Sequence, residues 1–144
     1  MGGDGKMKVF FDTNIIMDYL AVRHPFFYDA SILVDMCDRK EIQGVISSLT
    51  VINCAYLLRK AFSKELMLDK VKWMVSAFEI SSINKQMLEM ATLSNPHDFE
   101  DEVQMHSAMS KHVDVLITRD GKGFDPSKVI VQTPAEFIAN CMKS

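Results

Sequence analysis

The sequence predicts an α/β fold with three layers, in which a central parallel sheet lies between helices. Several short apolar runs are bounded by polar residues, and stretches with apolar side chains at helical spacing separate them. Strands that alternate with helices form parallel sheets, and strands buried on both faces read as continuous apolar runs. We therefore expect helices on both faces of the sheet.

The first part of the chain reads as a strand followed by two helices. The apolar run Lys8–Phe11 is assigned to a buried strand, and apolar side chains then recur at helical spacing. Thr13 or Asn14 is expected to cap the first helix. His24–Pro25 interrupts this helix, and a second one is expected at Phe26–Arg39.

The middle of the chain supplies two further strands and three helices. Strands are assigned to the apolar runs Gly44–Ser47 and Phe78–Ser81. Helices are assigned where a capping residue precedes apolar side chains at helical spacing. Their expected positions are from Ser48 or Thr50 to Lys60, from a Ser63 cap onward, and from about Asn84 to Leu93.

The last part of the chain contains the clearest strand, Asp114–Thr118. A helix is expected before it, from Asp98 to His112, and a short strand after it, at Val129–Val131. A flexible loop with two glycines, Gly121 and Gly123, lies between the two strands. The final helix is expected to begin at Thr133–Pro134, because proline favours the first helical position.

Length and composition fit one domain. The chain has 144 residues, of which 48% are hydrophobic and 24% charged, and this argues against disorder. We expect one domain over residues 7–144, with the polar, glycine-rich residues 1–6 as a flexible extension or cloning remnant. The three cysteines are widely spaced, which favours reduced thiols in a cytoplasmic protein. No apolar run reaches the ~20 residues of a membrane span, so no membrane association is expected.

The formal net charge is −3, which excludes a strongly basic protein that binds nucleic acid through its overall positive charge. It does not exclude an enzyme that acts on nucleic acid, because acidic residues at a metal site make the balance negative. The position of the acids is therefore more informative than their number.

Acidic residues follow two of the predicted strands. Asp12 comes directly after the first strand, and Asp120 follows the strand that ends at Thr118. A third acidic cluster, residues 98–102, stands at the start of a predicted helix. Functional groups of parallel sheets gather at the carboxyl ends of the strands. Crowded carboxylates favour binding of Mg²⁺ or Mn²⁺, which activates water for phosphodiester hydrolysis.

Each of these acids also has a purely structural explanation. Asp12 is a suitable cap for the first helix, and acids at residues 98–101 are favoured by the dipole of the helix that they begin. Asp120 is a suitable turn residue before Gly121. Only the common location at strand ends and a helix start favours a shared site.

The chain resembles the PIN-domain family over nearly all of residues 7–144. The resemblance rests on the order and spacing of Val9–Asp18, Ile46–Thr50, Asp98–Asp101 and Ile117–Asp120, followed by Phe124. It implies a parallel sheet between helices and an Mg²⁺- or Mn²⁺-dependent nuclease that acts mostly on RNA. The family includes the toxins of bacterial toxin–antitoxin pairs.

The resemblance also implies site residues, position by position. Asp12, Asp101 and Asp120 match the first, third and fourth acids of the family. Asn14 resembles the polar residue that orients the first aspartate. Thr118 resembles the hydroxyl residue that precedes the last acid.

The second acid of the family is replaced in this chain. Asn53 stands where toxin-type members usually have glutamate, as in subgroups of the family with asparagine there. An amide oxygen is a poorer ligand for Mg²⁺ because it brings no charge. Asp98 is expected to act as an auxiliary acid, because it lies three residues from Asp101, whereas Glu100 is expected to point elsewhere.

The function implied by the resemblance is an endoribonuclease that cleaves single-stranded RNA and leaves a 3′-hydroxyl and a 5′-phosphate. Arg119 and Lys122 are candidates for contacts with substrate phosphates, with solvated loop charges as the alternative. An antitoxin partner and a homodimer are also implied.

Two other classes of protein stay open. Asn53 favours a PIN fold that has lost turnover and binds only RNA or a protein. A phosphatase or phospho-receiver on a similar sheet would need a second carboxylate beside Asp12 or a lysine after a late strand, a pattern that Asp12–Asn14 does not supply.

Overall fold

The computed structural model describes residues 6–94 and 96–143. The strands of its sheet are β1 (Lys8–Phe11), β2 (Gln43–Ser47), β3 (Glu79–Ser81), β4 (Val115–Ile117) and β5 (Ile130–Gln132). The helices are α1 (Thr13–Leu20), α2 (Phe27–Asp38), α3 (Ser48–Ala61), α4 (Lys64–Ala77), α5 (Lys85–Ala91), α6 (Phe99–Ser110) and α7 (Pro134–Met142).

The sheet is parallel throughout, with the strand order β3-β2-β1-β4-β5. β1 is the central strand, and its Phe10 is paired with Val45 of β2 on one side and with Leu116 of β4 on the other. Phe11 is paired with Ile117, so the residues that follow β1 and β4 emerge side by side at the carboxyl edge of the sheet. The predicted parallel sheet is confirmed.

Two hydrophobic cores lie on opposite faces of the sheet, because successive side chains of β1 point in opposite directions. Phe10 packs with Met105 and Ala108 of α6, and α5 lies against α6. Val9 and Phe11 pack with residues of the other helices: Ile15, Ile16, Ala30, Leu33, Cys54, Leu58, Met74 and Phe137. The predicted three-layer arrangement is therefore confirmed.

The start of α1 differs from the prediction. Asp12 is the cap, because its backbone is extended and its side chain accepts a hydrogen bond from the Thr13 backbone N–H. Thr13 and Asn14 lie inside the helix, so the prediction that one of them caps it is wrong. Pro134 is the first residue of α7 as predicted, and Thr133 caps this helix in a reciprocal arrangement with the Glu136 side chain.

In the described residues, no helix is long and apolar enough to cross a membrane. Of the predicted extension at residues 1–6, only Lys6 is described, and residues 1–5 lie outside the described part of the chain.

Candidate active site

Asp12 is fixed at the carboxyl edge of the sheet by hydrogen bonds from three directions. Its backbone N–H donates to the Ile117 carbonyl at 3.0 Å, which continues the β1–β4 ladder. Its Oδ1 accepts from the Thr13 backbone N–H at 2.8 Å, and its Oδ2 accepts from the Thr118 hydroxyl at 2.9 Å. Burial raises the pKa of Asp12, although these two hydrogen bonds act in the opposite direction. Thr118 thus contacts the first acid, as a residue that orients it would.

Asp101 lies in the first turn of α6 and faces the loop after β4. A Cβ atom added to Gly123 of this loop would lie only 1.8 Å from Asp101 Oδ2, so a side chain at this position would force the Asp101 carboxylate or the loop to move. Burial raises the pKa of Asp101, and together with the nearby carboxylates of Asp12, Glu100, Asp98 and Asp120 it brings this pKa to about 6. The acids predicted from the sequence are therefore close enough to influence one another.

A cleft of about 350 Å³ brings Asp12, Asn14 and Asp101 together. Glu100 also lines this cleft, so the prediction that it points elsewhere is wrong. The physical reason is that Asp98 ends a 3-10 turn with φ −106° and ψ 7° and does not belong to α6. Helical spacing counted from Asp98 therefore does not give the orientation of the residues that follow.

Asn53, at the position of the family's second acid, lies on α3 opposite Glu100. Its Nδ2 donates a hydrogen bond to Glu100 Oε1 at 2.9 Å. The amide that stands in place of the acid is thus hydrogen-bonded to a carboxylate on the neighbouring helix. Both residues were candidates from the sequence, but their contact across two helices has no signal there.

A buried polar network lies beneath the cleft and was missed by sequence analysis. Gln104 of α6 is 1% exposed, and its Nε2 donates to the hydroxyls of Thr50 at 2.9 Å and Thr13 at 3.2 Å. Its Oε1 accepts from the Ser47 hydroxyl. One amide thereby joins α6, α3 and α1, the three helices that carry Asp101, Asn53 and the residues after Asp12. The only signal in the sequence is a glutamine between the buried Val103 and Met105.

Asp120 is a turn residue and also lies near another acid, so both interpretations of this residue from the sequence apply. Its Oδ1 accepts from the Lys122 backbone N–H at 3.1 Å and caps the short turn Gly121–Gly123. Its side chain is exposed, and its charge contributes to the raised pKa of Asp101. Asp120 is therefore near enough to Asp101 to act on it by its charge, but it is not among the residues that line the cleft.

Arg119 makes a structural contact that sequence analysis missed. Its Nε and Nη2 donate to the carboxylate of Asp18 at 2.8 and 3.3 Å, and Asp18 is 1% exposed. The guanidinium also lies 3.9 Å from the centre of the Phe26 ring. Lys122 is exposed, and its backbone N–H binds Asp120. Contacts of Arg119 or Lys122 with a substrate phosphate stay predictions.

The cleft has the donor chemistry that a hard divalent cation prefers. Carboxylate and amide oxygens are typical ligands of Mg²⁺ and Mn²⁺. The pKa values of Asp12 and Asp101 are raised first by burial and then by neighbouring carboxylates, and a bound cation would compensate both effects. Asn14 Oδ1 is buried and has no hydrogen-bond partner in the part of the chain that the structure describes. Within the same residues, no three His, Cys, Asp or Glu side chains are grouped closely enough to hold a metal ion. The residues therefore fit a cation by chemistry, without a preformed cage.

The fold and these acids define the class of protein: an α/β protein with an acidic cleft at the carboxyl edge of a parallel sheet. The sequence matches the PIN domain over residues 8–122, and the chain therefore belongs to the PIN-domain family. Members of this family are nucleases that generally use divalent metal ions.

Solved structures of toxin–antitoxin proteins have a similar fold. VapBC2 from Rickettsia felis, bound to a DNA fragment from its promoter, is 19% identical with a TM-score of 0.60, and the match covers 88% of this chain and 98% of that one. A toxin–antitoxin complex from Klebsiella pneumoniae is 22% identical with a TM-score of 0.63, covering 88% and 97%. VapC20 from Mycobacterium tuberculosis, a toxin that cleaves the sarcin–ricin loop, is 11% identical with a TM-score of 0.63, covering 80% and 92%. No curated protein matches the sequence.

Proposed function

We propose that this protein is a metal-dependent endoribonuclease that hydrolyses phosphodiester bonds of single-stranded RNA. The observation that carries the proposal is the cleft in which Asp12 and Asp101 meet, where neighbouring carboxylates help to raise the pKa of Asp101. Membership of a nuclease family supports the reaction class. The 5′-phosphate and 3′-hydroxyl products implied by the resemblance are part of the proposal.

Asp12, Asp101 and Asp120 are the residues that would hold one or two Mg²⁺ or Mn²⁺ ions, directly or through water, with Asp98 as an auxiliary acid. When bound, such an ion supplies an activated water and neutralises charge on the phosphate. Thr118 donates to Asp12 Oδ2 and keeps that carboxylate at a fixed orientation. Asn14 Oδ1 contributes a buried acceptor to the same cleft.

The test is the Asp12→Asn variant in an assay of Mn²⁺-dependent cleavage of single-stranded RNA. The substitution keeps the size of the side chain and removes its charge, so cleavage should fall to background. Asp69→Asn on α4 is the matched control, because Asp69 is exposed on another helix and its loss should leave cleavage unchanged. Cleavage by Asp12→Asn at the rate of the control would refute the assignment.

One observation favours a second candidate function, a PIN fold that binds RNA or a protein without cleaving it. Asn53 brings no charge to the position of the second acid, and the described acids do not form a complete ligand group. Calorimetric titration with Mn²⁺ distinguishes the two functions. A protein without measurable Mn²⁺ binding would support the second one.

We also propose that the protein is the toxin of a toxin–antitoxin pair, acts in the cytoplasm, and forms a homodimer. The similarity of its fold to toxin–antitoxin complexes supports an antitoxin partner. A neighbouring gene for a small protein that co-purifies with this chain would be the expected finding. Light scattering coupled to size-exclusion chromatography would give the oligomeric state. The single domain proposed over residues 7–144 includes the whole family match at 8–122.

A further inference from the structure

The contact between Asn53 and Glu100 joins two helices at the edge of the cleft. Asn53 Nδ2 can only donate, and Glu100 Oε1 can only accept, so their 2.9 Å contact is a complementary hydrogen bond. A glutamate at position 53 would instead bring a second negative charge toward the Glu100 carboxylate, and the two would repel each other. The amide at position 53 is thus compatible with a carboxylate at position 100, and an acid there would not be.

Glu100 not only bonds to Asn53 but also reaches the cleft. It lines the same cavity as Asp12 and Asp101, and its charge acts on both of these carboxylates. Asp98, the auxiliary acid expected from the sequence, acts on Asp101 and lies before α6 begins. Glu100 is therefore the acid of this cluster that faces both Asp12 and Asp101.

We propose that Glu100 supplies from α6 the negative charge that the second acidic position would otherwise supply from α3, and that Asn53 holds the Glu100 carboxylate in the cleft. In this arrangement α6 carries the negative charge and α3 carries the amide that binds it. Glu100 takes part in binding the divalent cation, and Asn53 is a positioning residue. This inference rests on the proposed function, because it concerns the cation of the same site.

The test measures Mn²⁺ affinity by calorimetry, so it does not depend on turnover. Glu100→Gln removes the charge while its Oε1 can still accept the hydrogen bond from Asn53. We expect the dissociation constant for Mn²⁺ to rise about tenfold or more, since losing even an outer-sphere partner of a metal ligand costs roughly 10–100-fold in affinity. The matched control is Glu102→Gln on the same helix. Glu102 does not line the cleft, and its Oε2 lies 3.7 Å from His106 Nε2. This control should bind Mn²⁺ like the wild type.

A second variant tests whether the charge has moved. Adding Asn53→Glu to Glu100→Gln returns a carboxylate to α3 and leaves an amide on α6 opposite it. We expect this double variant to recover most of the lost Mn²⁺ affinity. Asn53→Glu alone places two carboxylates together and should lower the thermal unfolding midpoint of the metal-free protein. Circular dichroism confirms folding of each variant before the titration.

The outcomes separate this inference from the proposed function. If Asp12→Asn loses Mn²⁺ binding and Glu100→Gln retains it, the role of Glu100 is refuted and the metal site stands. If Asp98→Asn weakens binding and Glu100→Gln does not, Asp98 is the auxiliary acid instead. If the wild type itself binds no Mn²⁺, both the inference and the proposed function are refuted. A Glu100→Gln defect that Asn53→Glu does not repair refutes the exchange between the two helices.

Discussion

Replacing Gly123 with alanine should disable the site without a change to any acid. Gly123 lies in the short turn after β4, where the loop passes directly over Asp101. The backbone at Gly123 does not have a left-handed φ, so the cost of the substitution is steric and comes from this one contact. The added methyl group and the Asp101 carboxylate cannot both keep their positions.

The size of the displacement follows from the structure. The new Cβ would lie 1.8 Å from Asp101 Oδ2, whereas ordinary contacts begin near 3.4 Å, so the two groups must separate by about 1.6 Å. Misplacement of a catalytic group by about 1 Å is enough to cost roughly 100-fold in rate. Overpacking of this kind costs about 1–3 kcal/mol in folding free energy, and an exposed loop absorbs part of it. We expect at least a 100-fold loss of RNA cleavage with a small loss of stability.

The assay compares cleavage of single-stranded RNA and Mn²⁺ affinity with those of Gly121→Ala. This control makes the same substitution in the same turn, where the added Cβ meets only Val131 Cγ1 at 3.2 Å. Gly121→Ala should therefore retain most of the activity. The reasoning is refuted if Gly123→Ala binds Mn²⁺ and cleaves RNA as well as Gly121→Ala does.

Two further predictions concern stability. Gln104→Leu removes a hydrogen-bond partner of the buried hydroxyls of Ser47 and Thr50 and of the part-buried hydroxyl of Thr13. It should cost about 2–4 kcal/mol in urea unfolding, while Gln86→Leu on the exposed face of α5 should be near neutral. Equal midpoints for these two variants would contradict the role of the network. The pKa of Asp101 is raised to about 6 in the folded state, above its ordinary 3.8, so the folded protein binds its proton more tightly. Metal-free protein should therefore gain about 1 kcal/mol from this group, after solvent screening, as the pH falls from 7.5 to 5. An Asp101→Asn variant with the same gain would exclude Asp101 as its source.

The layered fold was predictable because it depends on patterns within each segment. Each buried strand is a continuous apolar run, and the segments between them have helical spacing, so the parallel order follows from general rules. The placement of Asp12 and Asp120 at the carboxyl edge of the sheet followed from the same rules, since each comes after one of two neighbouring parallel strands. The cap of α1 was predicted wrongly because Asp12, Thr13 and Asn14 are all suitable capping residues and their sequence does not rank them.

The contacts that surround the candidate site were less predictable, because they join residues far apart in the chain. The ion pair of Arg119 with Asp18 and the approach of Gly123 to Asp101 depend on the paths of loops, which local patterns do not give. Glu100 was assigned to the wrong direction because a 3-10 turn precedes α6 and changes the register. The roles assigned to the individual acids stay predictions until the variants are measured.

Because β1 is the central strand, the sheet is completed only after later parts of the chain have been synthesised. β1 is synthesised first, yet one of its two neighbours is β4, and the Asp12 backbone bonds to Ile117 more than 100 residues later. Contacts of such long sequence separation form late in folding. A nascent chain that stops before β4 lacks both Thr118, which orients Asp12, and the glycine turn that covers Asp101. Prematurely terminated chains should therefore lack the cleft, because it is assembled only after most of the chain has left the ribosome.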